Sequence, residues 1–438
     1  MKISHARKTT FTTFDKTVSI TTFHQRPDRI RMLEEKITCP QIPRGAGLSY
    51  APVSFGQDIL VRELTSFNRI LEFDEKQKTV VVEAGISLKK LLEWSYQERL
   101  FFPVLPGHPE ITVGGCIAGN VHGKNPSKDG SFKEHVIWME LFHPKNGTRI
   151  IEPRSELFDA TCGGLGLTGI ITRVKLQLYG LPSDRIIIEP KKVDSLIEAV
   201  EIFEKQPNAD VLYSWHSGSV FKNFGKGVVT VGAFSKGFQN NRLKIPKTVS
   251  VKKINIPISF WGKTSTSLFF SIFRNMELRE EKIEKNIFNV FFPLTGIAQW
   301  FHVLYGKRGF REYQILVSKN NVPDFIQELT NLVNKEKPDL NIISLKPFKG
   351  NQRYLQFCRD GLSIVLEFPN STSTNQFISK IDELVISYDA IPNIIKNSIL
   401  SKKVVEKCFP EYNEFRNILN RNDPDRVFRS CVSQQLGL

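Results

Sequence analysis

A chain of 438 residues, 40% apolar and 24% charged, is long enough for two folded domains, and its composition excludes a disordered or low-complexity protein. Its formal charge of +15 leaves four readings open: a solvated Lys-rich surface, a nucleic acid, an anionic membrane surface or an anionic substrate. No zinc finger, RRM signature or helix-turn-helix supports the nucleic-acid reading. The six cysteines (Cys39, Cys116, Cys162, Cys358, Cys408, Cys431) show no CxxC pair and no metal-ligand spacing. They read as free thiols in a reducing compartment, and no metal is expected. The opening MKISHARKTT lacks the apolar core of a signal peptide, and no run is long enough to span a bilayer. A cytoplasmic location is expected.

In chain order, the first feature is the glycine-rich IPRGAGLSY, Ile42 to Tyr50. ILEFD and TVVVEAG follow, two strands joined across a charged turn. SLKKLLEWSYQ has apolar residues at helical spacing after Ser87, a natural N-cap. The longest glycine-rich stretch, PVLPGHPEITVGGCIAGNVHGKN, runs from Pro103 to Asn125. HVIWMELFHPKNGTRIIEP, from His135, reads as a hairpin with NG at its turn. GGLGLTGII, Gly163 to Ile171, leads into the alternating strand GIITRVKLQLY. Glycine in such density lets backbone N–H groups approach a phosphate, since no Cβ intervenes. Three such loops between strands imply a long cofactor gripped at several points, one that brings redox chemistry side chains lack.

After Pro182 these loops stop. DSLIEAVEIFEK, VPDFIQELTNLVNK and TNQFISKIDELVISY read as helices; GVVTVGAF, YQILVS and LSIVLEFP read as strands. That order predicts an antiparallel sheet backed by helices. The segment from Lys244 to Asn275 is basic and then rich in aromatics, with Phe260, Trp261, Phe269, Phe270 and Phe273. It reads either as a helix packed in the core or as a mobile lid touching an anionic interface.

Taken in sequence, the motifs resemble the vanillyl-alcohol-oxidase-type flavoprotein family. The resemblance runs from about Pro43 to the C-terminus. Its most specific pieces are VLPGHPEITVGGCIAGNVHGKN with the following GSFKEHV, ELFDATCGGLGLTGII, IKNSILS at Ile395 to Ser401, and FPEYNEFRNILNRNDPDRVF at Phe409 to Phe428. It implies an α+β, two-domain PCMH-type FAD-binding fold with a second, substrate-binding domain of antiparallel sheet plus helices. On that pattern residues 1–182 bind FAD, 183–392 cover the substrate, and 393–438 return to the first domain.

The resemblance also implies roles. Pro43, Arg44, Gly45, Ala46, Gly47, Leu48, Ser49 and Tyr50 would wrap the FAD diphosphate. Gly107, Thr112, Val113, Gly114, Gly115, Gly119, Asn120, Val121 and His122 would continue that contact, with Gly169 and Ile171 at the adenine end. Asn393 and Lys396 would meet the flavin. Lys396, Lys346, His122 and Tyr50 fall on catalytic positions, and Lys124, Gln314 and Lys346 on substrate positions. His108, His135 and His216 read as structural. Several relatives attach FAD through a histidine where this chain has Leu48, so FAD should be held non-covalently. Asn393 stands where an aromatic residue is expected.

The implied reaction is FAD-dependent oxidation of a sugar secondary alcohol. The substrate would be the 2′-hydroxyl of a lipid-linked sugar, a polyprenyl-phosphoryl ribose, taken to the 2′-keto form as the first half of an epimerisation towards an arabinose donor. A short-chain NADH-dependent reductase would then be the partner, at the inner membrane face. The alternatives are a soluble oxidase of aldonolactones or polyols, and a non-enzymatic flavin-fold protein that binds nucleic acid through its charge.

Overall fold

The computed structural model describes residues 6–220, 223–238, 243, 256–293 and 298–438. Thr79–Glu83 has three consecutive valines at its centre, and it is buried along its whole length. It lies inside a five-stranded sheet in the order Ile70–Asp74, Thr79–Glu83, Ile170–Gln177, Val136–His143, Gly147–Ile151. Every pairing there is antiparallel. The NG turn of the last hairpin has Gly147 at φ +71°, the left-handed region that glycine enters without strain.

Ser87 caps the helix Leu88–Gln97 by accepting from the Lys90 N–H. Leu88, Leu91, Leu92 and Tyr96 form the buried stripe of that helix. Before it, Gly85 is required by packing: a Cβ would stand 2.0 Å from the Leu64 carbonyl oxygen.

A second sheet is built from Arg7–Thr12, Ser19–Gln25, Leu60–Glu63 and Gln41–Arg44 in that spatial order. Both pairings to Leu60–Glu63 are parallel. The glycine-rich loop Gly45–Tyr50 leaves the end of the Gln41–Arg44 strand.

The large sheet has eight strands, all paired antiparallel. From one edge to the other they are Ile283–Asn286, Arg185–Val193, Gly227–Phe234, Val211–Ser217, Ile342–Phe348, Gly361–Pro369, Phe310–Ser318 and Ile391–Pro392. Leu196–Glu204, Val322–Glu336 and Thr372–Ser387 are among the helices that pack against it. One apolar core runs through both halves. Beyond Pro392 the chain returns to the first sheets. Gln41 N–H donates to the Val427 carbonyl at 2.8 Å and Cys431 N–H to that of Phe55 at 2.9 Å.

Of the basic, aromatic segment, residues 244–255 lie outside the described residues. Residues 256–262 are irregular, and the helix Lys263–Glu277 follows them. It is not a core helix: only Thr266 and Phe270 are buried, while Leu268, Ile272 and Met276 are 63%, 52% and 56% exposed. Among the described residues no helix is long and apolar enough to cross a membrane.

Candidate active site

The loops and the large sheet enclose one cavity of about 710 Å³ between them. That is the size of a site for a large cofactor or ligand. Its first part is backbone-lined: Pro43 to Tyr50, then Gly107, Thr112, Gly114, Gly115 and Gly119 to His122, with Gly169 and Ile171. Among the described residues, the N–H groups of Ala46, Gly47, Leu48 and Ser49 have no backbone acceptor. Gly47 has φ +67°, the left-handed region that lets the loop turn sharply here. Gly45 lets this loop meet the next: a Cβ there would stand 2.1 Å from Thr112 Oγ1. The Asn120 Nδ2 is buried without a partner in the same wall. Free N–H groups in a glycine nest, with an unpartnered amide beyond, fit a dinucleotide cofactor with a diphosphate.

Not every residue named for this contact faces the cavity. The Val113 side chain is fully buried in the core, and its N–H donates to the Ile86 carbonyl at 3.0 Å. The N–H groups of Gly114 and Gly115 are also engaged, by Ala84 O at 2.7 Å and Thr112 Oγ1 at 3.2 Å. Their glycines therefore serve close packing more than phosphate donation.

The second part of the cavity is polar and charged. Gln314 on Phe310–Ser318 lies opposite Val365 on Gly361–Pro369. Its amide nitrogen donates to His122 Nε2 (3.1 Å) and Ser363 Oγ (3.0 Å), and its oxygen accepts from Asn393 Nδ2 at 2.8 Å. His122 Nδ1–H then donates to the Gly123 carbonyl at 3.3 Å. Burial, with Lys346 nearby, pushes the imidazole well below its ordinary range. His122 is thus neutral, with both ring nitrogens engaged. It and Gln314, expected to do chemistry and to bind substrate, both line the cavity, and these hydrogen bonds fix their positions there. Asn393 ties them to the loop carrying Lys396.

Three lysines converge on this end. Lys396 Nζ lies 3.6 Å from the centroid of the Tyr50 ring and 3.2 Å from Glu312 Oε1. Burial and the charge of Lys396 lower Lys346 to about 8. Lys124 is buried beside the Tyr213 ring, and burial followed by Lys346 holds it far below the usual ammonium range. Burial and the neighbouring carboxylates keep the Tyr50 phenol well above its ordinary value, so it stays protonated.

Sequence reasoning missed Glu312 and Glu367. Both line the cavity, each about a tenth exposed or less, and they face each other across paired strands. The signal was a glutamate in phase with the cavity face: Glu312 with Gln314 on one strand, Glu367 with Val365 on the other. His302 also lines the cavity, and no pattern in its segment marked it. His108 lines the cavity too, against the reading of it as structural. His135 and His216 are buried and bonded within the fold.

The charged end is roofed by Trp261, Phe269, Ile272, Phe273 and Met276, from the Lys263–Glu277 helix and the turn before it. The arrangement joins a backbone-lined cofactor trough to a lysine-rich chamber with an apolar wall.

Residues 30–151 match the model of a family described as an FAD binding domain. The chain is 29% identical over 415 residues to decaprenylphosphoryl-beta-D-ribose oxidase of Mycolicibacterium smegmatis, covering 91% of this chain and 89% of that one. It is 22% identical to L-gulonolactone oxidase 3 of Arabidopsis thaliana, over 87% of this chain and 74% of the relative. Among solved structures, a cholesterol oxidase variant from Brevibacterium sterolicum superposes with a TM-score of 0.71 at 15% identity, covering 98% of this chain and 97% of that one. That likeness concerns the fold alone.

Proposed function

We propose that the chain, an FAD-dependent oxidoreductase acting on CH–OH groups, is of the vanillyl-alcohol-oxidase type and that its substrate is a polyprenyl-phosphoryl ribose, oxidised at the 2′-hydroxyl to the ketone. The observation that carries this reading is the convergence of Lys124, Lys346 and Lys396 beside an apolar wall. Lysines crowded with too few carboxylates lose protons; an anionic group among them restores their charge and is bound in return. A phosphate fits that need, and a lipid tail fits the aromatic roof. The relative of nearly equal length is named for such a substrate.

FAD, when bound, supplies the acceptor for the hydride leaving the carbinol carbon. The loop Ala46–Ser49 and Asn120 would hold its diphosphate end, and Leu48, in place of histidine, leaves it non-covalent. Lys396, paired with Glu312 over the Tyr50 ring, is placed to stabilise negative charge that develops beside it. Lys346, near 8 in the ligand-free site, would carry its proton beside a bound anion and so helps to hold it. The Gln314–His122–Asn393 scaffold fixes these groups relative to one another.

The ketone is the first half of an epimerisation in this reading, so a short-chain NADH-dependent reductase is the partner that completes it. Anaerobic mixing of the holoenzyme with polyprenyl-phosphoryl pentoses, free pentoses and aldonolactones tests the substrate. Bleaching of the flavin absorbance by the lipid-linked ribose, and not by the soluble sugars, is expected. Equal bleaching by a lactone would favour the aldonolactone reading instead.

A further inference from the structure

The turn Thr13–Thr17, between the strands Arg7–Thr12 and Ser19–Gln25, lies against the active site. It is closed by Lys16 N–H on the Thr13 carbonyl and Thr13 N–H on that of Val18, both at 3.0 Å. On one side Phe14 lines the cavity and its N–H donates to the Ser49 carbonyl at 3.1 Å. Its ring stacks on that of Tyr50, 5.2 Å away and 11° from parallel, the ring over which Lys396 Nζ lies. On the other side the buried Asp15 carboxylate accepts from Thr13 Oγ1 (2.5 Å) and the Thr17 N–H (3.1 Å) on Oδ1, and from Thr17 Oγ1 (2.8 Å) on Oδ2. The Thr17 hydroxyl accepts from Arg311 Nη1 at 3.0 Å and lies 3.1 Å from Ser398 Oγ. Its own proton goes to Asp15, so Ser398 supplies the one between the two hydroxyls. Arg311 donates to Ser398 Oγ as well, and its Nε is held by Asn370 Oδ1 at 3.1 Å.

We infer that this turn positions the active-site lysine: the Thr17 hydroxyl joins Asp15, Arg311 and Ser398 in one network, which with the Phe14–Tyr50 stack sets where Lys396 stands over the tyrosine ring. Thr17, Arg311 and Ser398 do not line the cavity, so they are positioning residues. Their importance to catalysis rests on the reading of Lys396 as the group that stabilises developing charge. Stability alone accounts poorly for the network, because buried charges seldom outdo apolar replacements of the same volume. A buried polar network with its partners in place instead rigidifies what it joins. What it joins here are an amino-terminal turn, a strand of the large sheet and the loop of the lysine.

The turn is itself seated on that strand. Phe310 N–H donates to the Asp15 carbonyl at 3.1 Å, and Gly309 leaves room for it, since a Cβ there would stand 1.9 Å from the Asp15 oxygen. From this seat the path to the lysine is short. Ser398 follows Lys396 by two residues, and on the other flank the Ile395 carbonyl is held by Tyr50 and Ala51. Losing the Thr17 hydroxyl therefore frees one flank of the lysine and leaves the other, which displaces Lys396 without unfolding its loop.

NMR of the FAD-loaded protein, isotope-labelled at lysine Cε, reads the position of the lysine without catalysis. The Lys396 resonance, identified by its loss in Lys396→Arg, should lie upfield of exposed lysines, because the Tyr50 ring shields it. Thr17→Val keeps the shape and removes the hydroxyl, so the resonance should move towards those of exposed lysines while FAD content stays unchanged. Flavin reduction should slow about tenfold or more, since a misplacement of about 1 Å can cost about 10²-fold. Thr17→Ser, which restores the hydroxyl, should restore both readouts. In a Lys396→Ala background Thr17→Val should slow reduction no further, because residues that act through one group are not additive. Ser398→Ala cuts the same link from the loop of the lysine and keeps the test decisive if Thr17→Val folds poorly. A Lys396 resonance that stays in place in these variants would overturn the inference, as would a slowing that Lys396→Ala does not absorb. A near-normal rate in Lys396→Ala would instead sink the charge-stabilising reading, and the resonance would still decide whether the turn sets the position of the lysine.

Discussion

Lys396 takes its role from three neighbours at once. Glu312 pairs with it, Tyr50 offers its ring face, and the Ile395 carbonyl is held by the N–H groups of Tyr50 and Ala51, at 3.0 and 3.1 Å. The ammonium is therefore fixed by backbone as well as by charge. Removing it takes away the positive group beside the developing charge, a loss of about 10²–10³-fold where such stabilisers have been deleted. Lys396→Ala should retain FAD, because the diphosphate loop is separate, but reduce it about 10²-fold or more slowly on adding substrate. Stopped-flow absorbance measures both. A near-normal rate would remove Lys396 from the chemistry, and Lys346 would then have to act without it. The same separation explains why Lys396 was readable early: it sits within a contiguous motif, IKNSILS. Glu312 and Glu367 do not. Each is one polar residue in an apolar strand, and their meeting depends on a register between segments far apart in the chain.

At the scale of elements, legibility followed locality. The Val136–His143 and Gly147–Ile151 hairpin, with NG at its turn, and the capped helix Leu88–Gln97 carry their signals within a few residues. The N-terminal sheet does not. Arg7–Thr12 is threonine-rich with little apolar pattern, and Ser19–Gln25 pairs in parallel with Leu60–Glu63 across a long connection. The three glycine loops were legible as loops, but their contacts were not. Gly45 is needed because the first loop touches Thr112, the N-cap of the second. A bulkier residue there must push the two apart. Gly45→Val should fold, because the clash lies at the cavity wall and not in the core, yet lose most of its FAD. The ratio of flavin to protein absorbance after gel filtration checks it. Wild-type protein precipitated with acid should release FAD to the supernatant, as Leu48 requires. Full flavin content in the variant would show that the loop contact is adjustable and contributes little to cofactor binding.

The whole molecule combines a net charge of +15 with a partly exposed apolar helix over its site. Leu268, Ile272 and Met276 recur at four-residue spacing along one face, and Ile258 and Phe260 lie exposed just before the helix, 68% and 62% accessible. The same helix lines the cavity through Phe269 and Phe273, with Ile272 and Met276 shared between the cavity and the exposed face. If the substrate is lipid-linked as proposed, it would have to leave its bilayer to reach the lysines, and this helix offers an apolar surface beside the cavity. Anionic lipid would add roughly 1 kcal/mol per nearby Lys or Arg, weakened within a Debye length of about 10 Å at 0.1 M salt. The expectation is peripheral binding to anionic vesicles that falls with salt. Leu268→Asp combined with Phe260→Ser alters only positions outside the cavity lining. It should weaken vesicle binding about tenfold or more, since burying one such side chain contributes about 1.5–3 kcal/mol, while leaving FAD content unchanged. Co-sedimentation with phosphatidylglycerol vesicles measures the binding. If the wild-type protein stays in the supernatant even at low salt, the membrane contact fails, the exposed stripe needs another partner, and the charge reverts to a solvated surface.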